Sequence, residues 1–132
     1  MKALIVDDDF TSRNLLQKIL SPYGEVDIAA NGVEAVEAFS KALAQEKPYK
    51  LICMDIMMPG MNGIEALKRI RDIERQKNIS GKDESLVVMV TALDDQKSII
   101  ESYYKSGANS YITKPIDRKL FLEMLKNTGL IA

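Results

Sequence analysis

Apolar and polar positions alternate along the chain in two recurring patterns. Short apolar runs of strand length occupy residues 3–6 (ALIV), 26–29 (VDIA), 51–54 (LICM), 86–90 (LVVMV) and 110–113 (SYIT), which predicts five strands. Between the strands, apolar residues recur at helical spacing. The stripes are Leu15, Leu16, Ile19 and Leu20, then Val36, Phe39 and Leu43, then Ile64, Leu67 and Ile70, then Ile99, Ile100, Tyr103 and Tyr104. A fifth stripe comes at Leu120, Phe121, Met124 and Leu125, so five helices are predicted. Asn31 and Asn62 each stand three residues ahead of a glutamate, Glu34 and Glu65, as a capping box requires. Asp94 and Asp117 suit N-caps, and Gly24 and Gly107 sit where C-caps belong.

Strict alternation of strand and helix implies a parallel sheet with helices on both faces, because parallel neighbours need crossover connections. The predicted class is a doubly wound α/β domain. Asp27 in the second run, and Ser110 and Thr113 in the fifth, mark those strands as edges. These edges fit the flavodoxin-like order 2-1-3-4-5, whose crevice opens at the carboxyl ends of the first and third strands. With 132 residues, 46% of them apolar, the chain fits one domain over 1–132.

Composition removes several kinds of chemistry. There is no histidine, hence no histidine base, Ser-His-Asp triad or histidine-ligated zinc. The single cysteine, Cys53, excludes an internal disulfide and a multi-cysteine cluster, which suits a reducing cytoplasm, and a buried, inert thiol is its expected role. Lys and Arg number 18 against 19 Asp and Glu, a net charge of -1, so nothing points to nucleic acid or an anionic membrane. No apolar run approaches a membrane span, and MKALIVDDD turns acidic too early for a secretion signal.

In a parallel sheet the residues just past each strand gather at one edge. Asp7, Asp8 and Asp9 come after the first strand, Asp55 after the third, Thr91 after the fourth and Lys114 after the fifth. Strand-terminal aspartates also serve as helix caps, and Asp9, directly ahead of a helix, fits that role as well as a chemical one. Asp55 fits it less, since the next helix start lies several residues on. Three carboxylates about 4–5 Å apart repel by roughly 3–4 kcal/mol per pair at an effective dielectric near 20. Cations must therefore sit among them. Lys114 brings one charge, and a divalent ion at Asp7, Asp8 and Asp55 brings the rest. All-oxygen donors favour Mg2+ or Mn2+. A divalent ion, an ammonium and a hydroxyl around a carboxylate are the parts of phosphoryl transfer to that carboxylate.

Four segments, LIVDDD, LICMDIMMPGMNG, VVMVTA and YITKP, stand in order at the ends of successive predicted strands. Together they resemble the receiver domain of two-component response regulators along essentially the whole chain. The resemblance implies a phospho-acceptor at Asp55 and Mg2+ held by Asp8, by Asp55, by the backbone carbonyl of Met57 and by Asp7 through water. It implies Thr91 and Lys114 on the phosphoryl oxygens, and a cis bond before Pro115. Asp9 then resembles a variable acidic neighbour. A switch through Thr91 and Tyr111 is implied, altering the face formed by the fourth helix, fifth strand and fifth helix. Met57 and Leu93 occupy positions beside the path of the attacking water, where two apolar side chains imply slow self-dephosphorylation.

The implied partners are a histidine kinase or histidine phosphotransfer protein, approaching past Phe10, Asn14 and Leu15, and a downstream protein target. The chain ends soon after the fifth helix, so no attached output domain is expected. A stand-alone chemotaxis-type switch, a phosphorelay intermediate and a domain cut from a larger chain all fit, as a monomer or a phosphorylation-dependent dimer. LIVDDDFT also fits a haloacid-dehalogenase-type phosphatase with Asp7 as nucleophile and Asp9 as its acid-base partner, but that leaves DIMMPGMNG and the Lys-Pro step without a role. A flavin module is disfavoured by three acids where a phosphate loop belongs. Met58 and Met61 read as loop packing, Tyr103 and Tyr104 as one core and one surface ring, and residues 74–85 as a solvated loop, part of which extends the third helix.

Overall fold

Strand β1 (Lys2–Val6) lies inside the sheet and is buried from Ala3 onward, which is why its run ALIV carries no polar break. It pairs in parallel with β2 (Glu25–Ala29) on one side and β3 (Leu51–Asp55) on the other. Beyond β3 come β4 (Leu86–Thr91) and β5 (Ser110–Thr113), giving the order β2-β1-β3-β4-β5. The order and the edge positions match the expectation. β3 is buried at every residue, whereas β2 and β5 are half-exposed along most of their length. The computed structural model describes residues 1–92 and 107–132, with Thr91 described through its backbone. The predicted fourth helix, Leu93, Asp94, Tyr103, Tyr104 and the Thr91 side chain lie outside the described residues.

Four α-helices occur among the described residues: α1 (Phe10–Leu20), α2 (Gly32–Ala44), α3 (Gly63–Gln76) and α4 (Arg118–Asn127). Side-chain caps set where each begins. Asn31, Asn62 and Asp117 accept the backbone N–H of Glu34, Glu65 and Leu120 at 2.9, 2.9 and 3.1 Å, satisfying donors the helix itself leaves open. Asn62 N–H donates in return to Glu65 Oε1, which completes the capping box.

Because side chains alternate across a strand, each strand feeds two apolar layers. Leu4, Val6, Ile52, Met54, Val87 and Met89 meet α2 and α3 through Phe39, Leu67 and Ile70. On the other face, Ala3, Ile5, Leu51, Cys53, Val88 and Val90 meet α1 and α4 through Leu16, Ile19, Phe121 and Leu125. Burying each large side chain contributes roughly 1.5–3 kcal/mol. Cys53 is buried, and burial pushes its thiol up to about 12, so it stays a protonated core residue. No helix among the described residues is long and apolar enough to cross a membrane.

The third helix extends into residues 74–85 as expected, but the reading of this stretch as solvated needs correction at Glu74 and Ser85. Helix α3 runs to Gln76, and Glu74 and Ser85 are buried. Arg71 Nη1 donates to Glu74 Oε1 at 2.7 Å and to the Ser85 carbonyl at 2.9 Å, while Ser85 N–H donates to Glu74 Oε2 at 2.8 Å. The segment between them is exposed, but its two ends are tied together by a buried ion pair.

Candidate functional site

The parallel register of β1 and β3 pairs Val6 with Met54, so the next residues, Asp7 and Asp55, emerge side by side at the carboxyl edge. Asp7 N–H donates to the Ala29 carbonyl at 3.1 Å and Ile56 N–H to the Val90 carbonyl at 3.3 Å, which holds both strand ends in the ladder. Asp7 is 1% and Asp55 6% exposed, and Asp8 faces solvent. One carboxylate oxygen from each of the three lies within 4.8 Å of the others. Lys114, the first residue after β5, reaches over the end of β4. Its Nζ stands 3.2 Å from Asp7 Oδ2 and 3.5 Å from Asp55 Oδ2. The Lys114–Pro115 peptide bond is cis.

The turn bearing the aspartates is fastened to α1. Asp9 caps that helix, its Oδ2 accepting Ser12 N–H at 3.3 Å and Ser12 Oγ at 2.8 Å. Asp9 N–H in turn donates to Asp7 Oδ1 at 2.9 Å, and Arg13 Nη1 donates to the Asp7 carbonyl at 3.2 Å. The Ser12 hydroxyl holds the exposed Asp9 carboxyl below its ordinary pKa. On the other side of the crevice, α3 starts against the end of β3. A Cβ on Gly63 would stand 2.1 Å from the Asp55 carbonyl oxygen, so only glycine fits there, and Gly63 N–H donates to the Ile56 carbonyl at 3.0 Å. In the intervening loop Ile56 and Met58 are buried while Met57, just past β3, is 71% exposed.

Burial pushes the Asp55 carboxyl up to about 6; Asp7 adds to the rise and Lys114 partly opposes it. For Lys114, burial pulls the ammonium down, but Asp55 and Asp7 outweigh it and the net shift is upward. Among the described residues, three carboxylates against one ammonium leave the pocket short of positive charge. Asp7 Oδ2 is buried, and among the described residues it is met by the Lys114 ammonium as an ion pair at 3.2 Å and by no well-aligned hydrogen-bond donor. A divalent cation held by oxygen donors fits both facts, since it neutralises the excess and gives that oxygen a partner at one remove, through water.

A family model of the response regulator receiver domain matches residues 3–126. The chain belongs to the response regulator receiver family. Members of this family act as signalling switches, not as classical enzymes. Among curated relatives of this receiver, the chemotaxis protein CheY of Halobacterium salinarum is 34% identical over 127 residues, covering 96% of this chain and 94% of that protein. The hybrid signal transduction histidine kinase I of Dictyostelium discoideum is 32% identical over 125 residues, and the chain spans only 7% of its length. Among solved structures, the CheX–CheY–BeF3–Mg complex from Borrelia burgdorferi contains a chain that superposes with a TM-score of 0.82 at 27% identity, covering 98% of the receiver and 89% of that chain. A complex of the Saccharomyces cerevisiae phosphotransfer protein Ypd1 with the receiver domain of Ssk1 gives 0.81 at 28% identity, with coverage of 98% and 89%.

Of the residues singled out in the sequence, the receiver brings together Asp7, Asp8, Asp55 and Lys114 and leaves Asp9 on its helix cap. Thr91 pairs through its backbone with Thr113, next to Lys114. Tyr111 is half-buried and packs against the α2–α3 layer. Phe10 and Leu15 are exposed on α1 near the pocket mouth. The residues that sequence reasoning missed are Arg13, Ser12 and the Arg71–Glu74 pair. A signal for the last was present: Leu67, Ile70, Arg71 and Glu74 fall at i, i+3, i+4 and i+7, so two charged residues stand inside the buried stripe of α3.

Proposed function

We propose that this receiver accepts a phosphoryl group on Asp55 from a phosphohistidine of a histidine kinase or histidine phosphotransfer protein, in a Mg2+-dependent reaction. The observation that carries the reading is Lys114, its ammonium within 3.5 Å of both Asp7 and Asp55 in a pocket of three clustered carboxylates. A carboxylate oxygen of Asp55 attacks phosphorus, forming an acyl phosphate as the donor's phosphorus–nitrogen bond breaks, and the departing imidazole keeps the electron pair and takes up a proton. Lys114 and the Thr91 hydroxyl hold two phosphoryl oxygens. Asp8, Asp55 and the Met57 carbonyl would hold the metal directly and Asp7 through water, and the metal supplies neutralisation of the incoming phosphoryl charge. The ion pair between Lys114 and Asp7 keeps the lysine aimed at the acceptor before phosphate arrives.

The phosphorylated state then biases Thr91 and Tyr111 toward an arrangement that a partner protein reads at the face around β5 and α4. A stand-alone signal of the chemotaxis type and a phosphorelay step share this chemistry. In either case residues 1–132 act as a single receiver unit in the cytoplasm, as a monomer or a phosphorylation-dependent dimer. The Asp7-nucleophile phosphatase reading has less to support it, because Asp9 Oδ2 caps α1 through Ser12 and DIMMPGMNG keeps no role in it.

Incubation with acetyl phosphate and Mg2+ is expected to give a hydroxylamine-labile acyl phosphate on the peptide carrying Asp55, and chelation is expected to abolish it. Label on Asp7, or labelling that survives chelation, overturns the reading. A second expected outcome concerns lifetime. Met57 and Leu93 offer no hydrogen bond to orient an attacking water, so Met57→Asn is expected to shorten the phospho-Asp55 half-life by about tenfold; an unchanged half-life, measured by loss of radiolabel, removes Met57 from that role.

A further inference from the structure

We propose that Arg71 is a positioning residue for phosphoryl transfer, fixing the start of β5 so that Lys114 stays between Asp7 and Asp55. The inference rests on the function proposed above and assigns it a residue at the opposite end of the sheet. Strand β5 is four residues long, half-buried throughout, and among the described residues pairs only with β4. Such an edge strand has little of its own to stop it sliding or tilting, yet the ammonium just beyond it must meet two oxygens at 3.2 and 3.5 Å.

The restraint lies at its other end. Arg71 Nε donates to the Gly107 carbonyl at 3.0 Å, and Arg71 Nη2 donates to Asn109 Oδ1 at 2.9 Å. The same Asn109 oxygen accepts Val87 N–H at 2.7 Å, and Asn109 N–H donates to the Val87 carbonyl at 2.9 Å, which fixes the β4–β5 register. Gly107 has φ +99°, and a Cβ there would stand 3.1 Å from Arg71 Cγ, so the arginine stem is seated directly on this turn. The guanidinium is immobilised by Glu74 and Ser85.

Helix α3 therefore meets the site's framework twice. Its first residue, Gly63, abuts the Asp55 carbonyl, and its Arg71 grips the turn leading into the strand that carries Lys114. Acceptor and ammonium are set by one rigid helix. Lys114 lies five residues past Asn109, roughly 16 Å of extended chain, so a displacement at the start of β5 carries through to Nζ. A lysine at 71 keeps the charge beside Glu74 but lacks the planar fork that reaches Gly107, Asn109 and Ser85 together.

The experiment measures the rate of acetyl phosphate labelling of the full chain at saturating Mg2+, and Mg2+ affinity separately by thermal shift. Lys114→Ala is expected to slow labelling by about a hundredfold, and Arg71→Lys and Asn109→Ala by about tenfold each, with Mg2+ affinity changed less than about threefold. In the Lys114→Ala background, Arg71→Lys and Asn109→Ala are expected to slow labelling no further, because their effect runs through that lysine. Equal slowing in both backgrounds overturns the inference and leaves Arg71 a structural residue, and no slowing by either variant overturns it as well. If Lys114→Ala itself labels normally, the role of Lys114 in the proposed function falls together with this inference. Should Arg71→Lys fail to fold, Asn109→Ala alone decides.

Discussion

Asp55→Asn is expected to abolish phosphoryl incorporation and, in metal-free solution, to make the folded protein more stable. Both effects come from the same carboxylate. As acceptor it is the only nucleophile in the proposed reaction, and the amide that replaces it cannot form the acyl phosphate, so labelling should fall to background. As a buried charge facing Asp7 it is a liability without a metal. Its pKa is about 6 in the fold against 3.8 for the ordinary side chain, burial being the main cause and Asp7 the next.

A carboxyl whose pKa is raised by folding binds more protons folded than unfolded between those two values, so its contribution to stability is fully present below about pH 4 and is lost as pH rises through about 6. The loss amounts to about 2–3 kcal/mol, the lower figure allowing for solvent screening at the open mouth of the pocket. Relative to wild type, Asp55→Asn is therefore expected to gain stability as pH rises from about 4 to about 6 and to hold a constant advantage above that, in urea melts with chelator present. Added Mg2+ is expected to shrink the difference by stabilising wild type more than the variant. A variant that still labels, or a stability difference that does not change with pH, defeats the prediction.

Glu74→Ala is expected to cost about 3–5 kcal/mol of folding free energy. The Glu74 side chain is 1% exposed and accepts Arg71 Nη1 and Ser85 N–H, so its removal leaves a buried guanidinium without its counter-charge and a buried amide without an acceptor. Glu74→Gln keeps an oxygen for one of these donors and should cost less. A double replacement of Arg71 and Glu74 by leucine removes the orphaned charge and should recover part of the loss. It does not recover all of it, since the Gly107 and Ser85 carbonyls lose Arg71, Ser85 N–H loses Glu74, and Asn109 Oδ1 is left with Val87 N–H. Denaturant melts of the three variants check the order; Glu74→Ala within about 1 kcal/mol of wild type shows that the pair is not holding the loop.

The strands were legible in the sequence because a parallel sheet covered on both faces leaves unbroken apolar runs, and 110–113 coincides with β5 to the residue. Asp7, Asp8, Asp55 and Lys114 were legible as a group because parallel strands deliver the residues just past them to a common edge. Asp9 was not resolvable, since a helix cap and a metal ligand require the same residue type at the same place, and only the bond to Ser12 decides between them. Arg71 and Glu74 stayed hidden because charge near the end of a helix ordinarily faces water, and the partners that bury them, Ser85, Gly107 and Asn109, are 11 to 38 positions distant in sequence. The alternation of Ile56, Met57 and Met58 between inside and outside belongs to a loop that no periodicity rule covers.

The separation of the core into two apolar layers has a practical corollary. Among the described residues the two layers share no side chain, and the sheet backbone stands between them. Refilling volume around Phe39 and refilling it around Phe121 should then be independent engineering problems, whose gains in heat tolerance sum when combined. The edge that carries Asp7, Asp8, Asp55 and Lys114 sits at the rim where both layers end, so either half of the molecule can be reinforced while the other is left as a control.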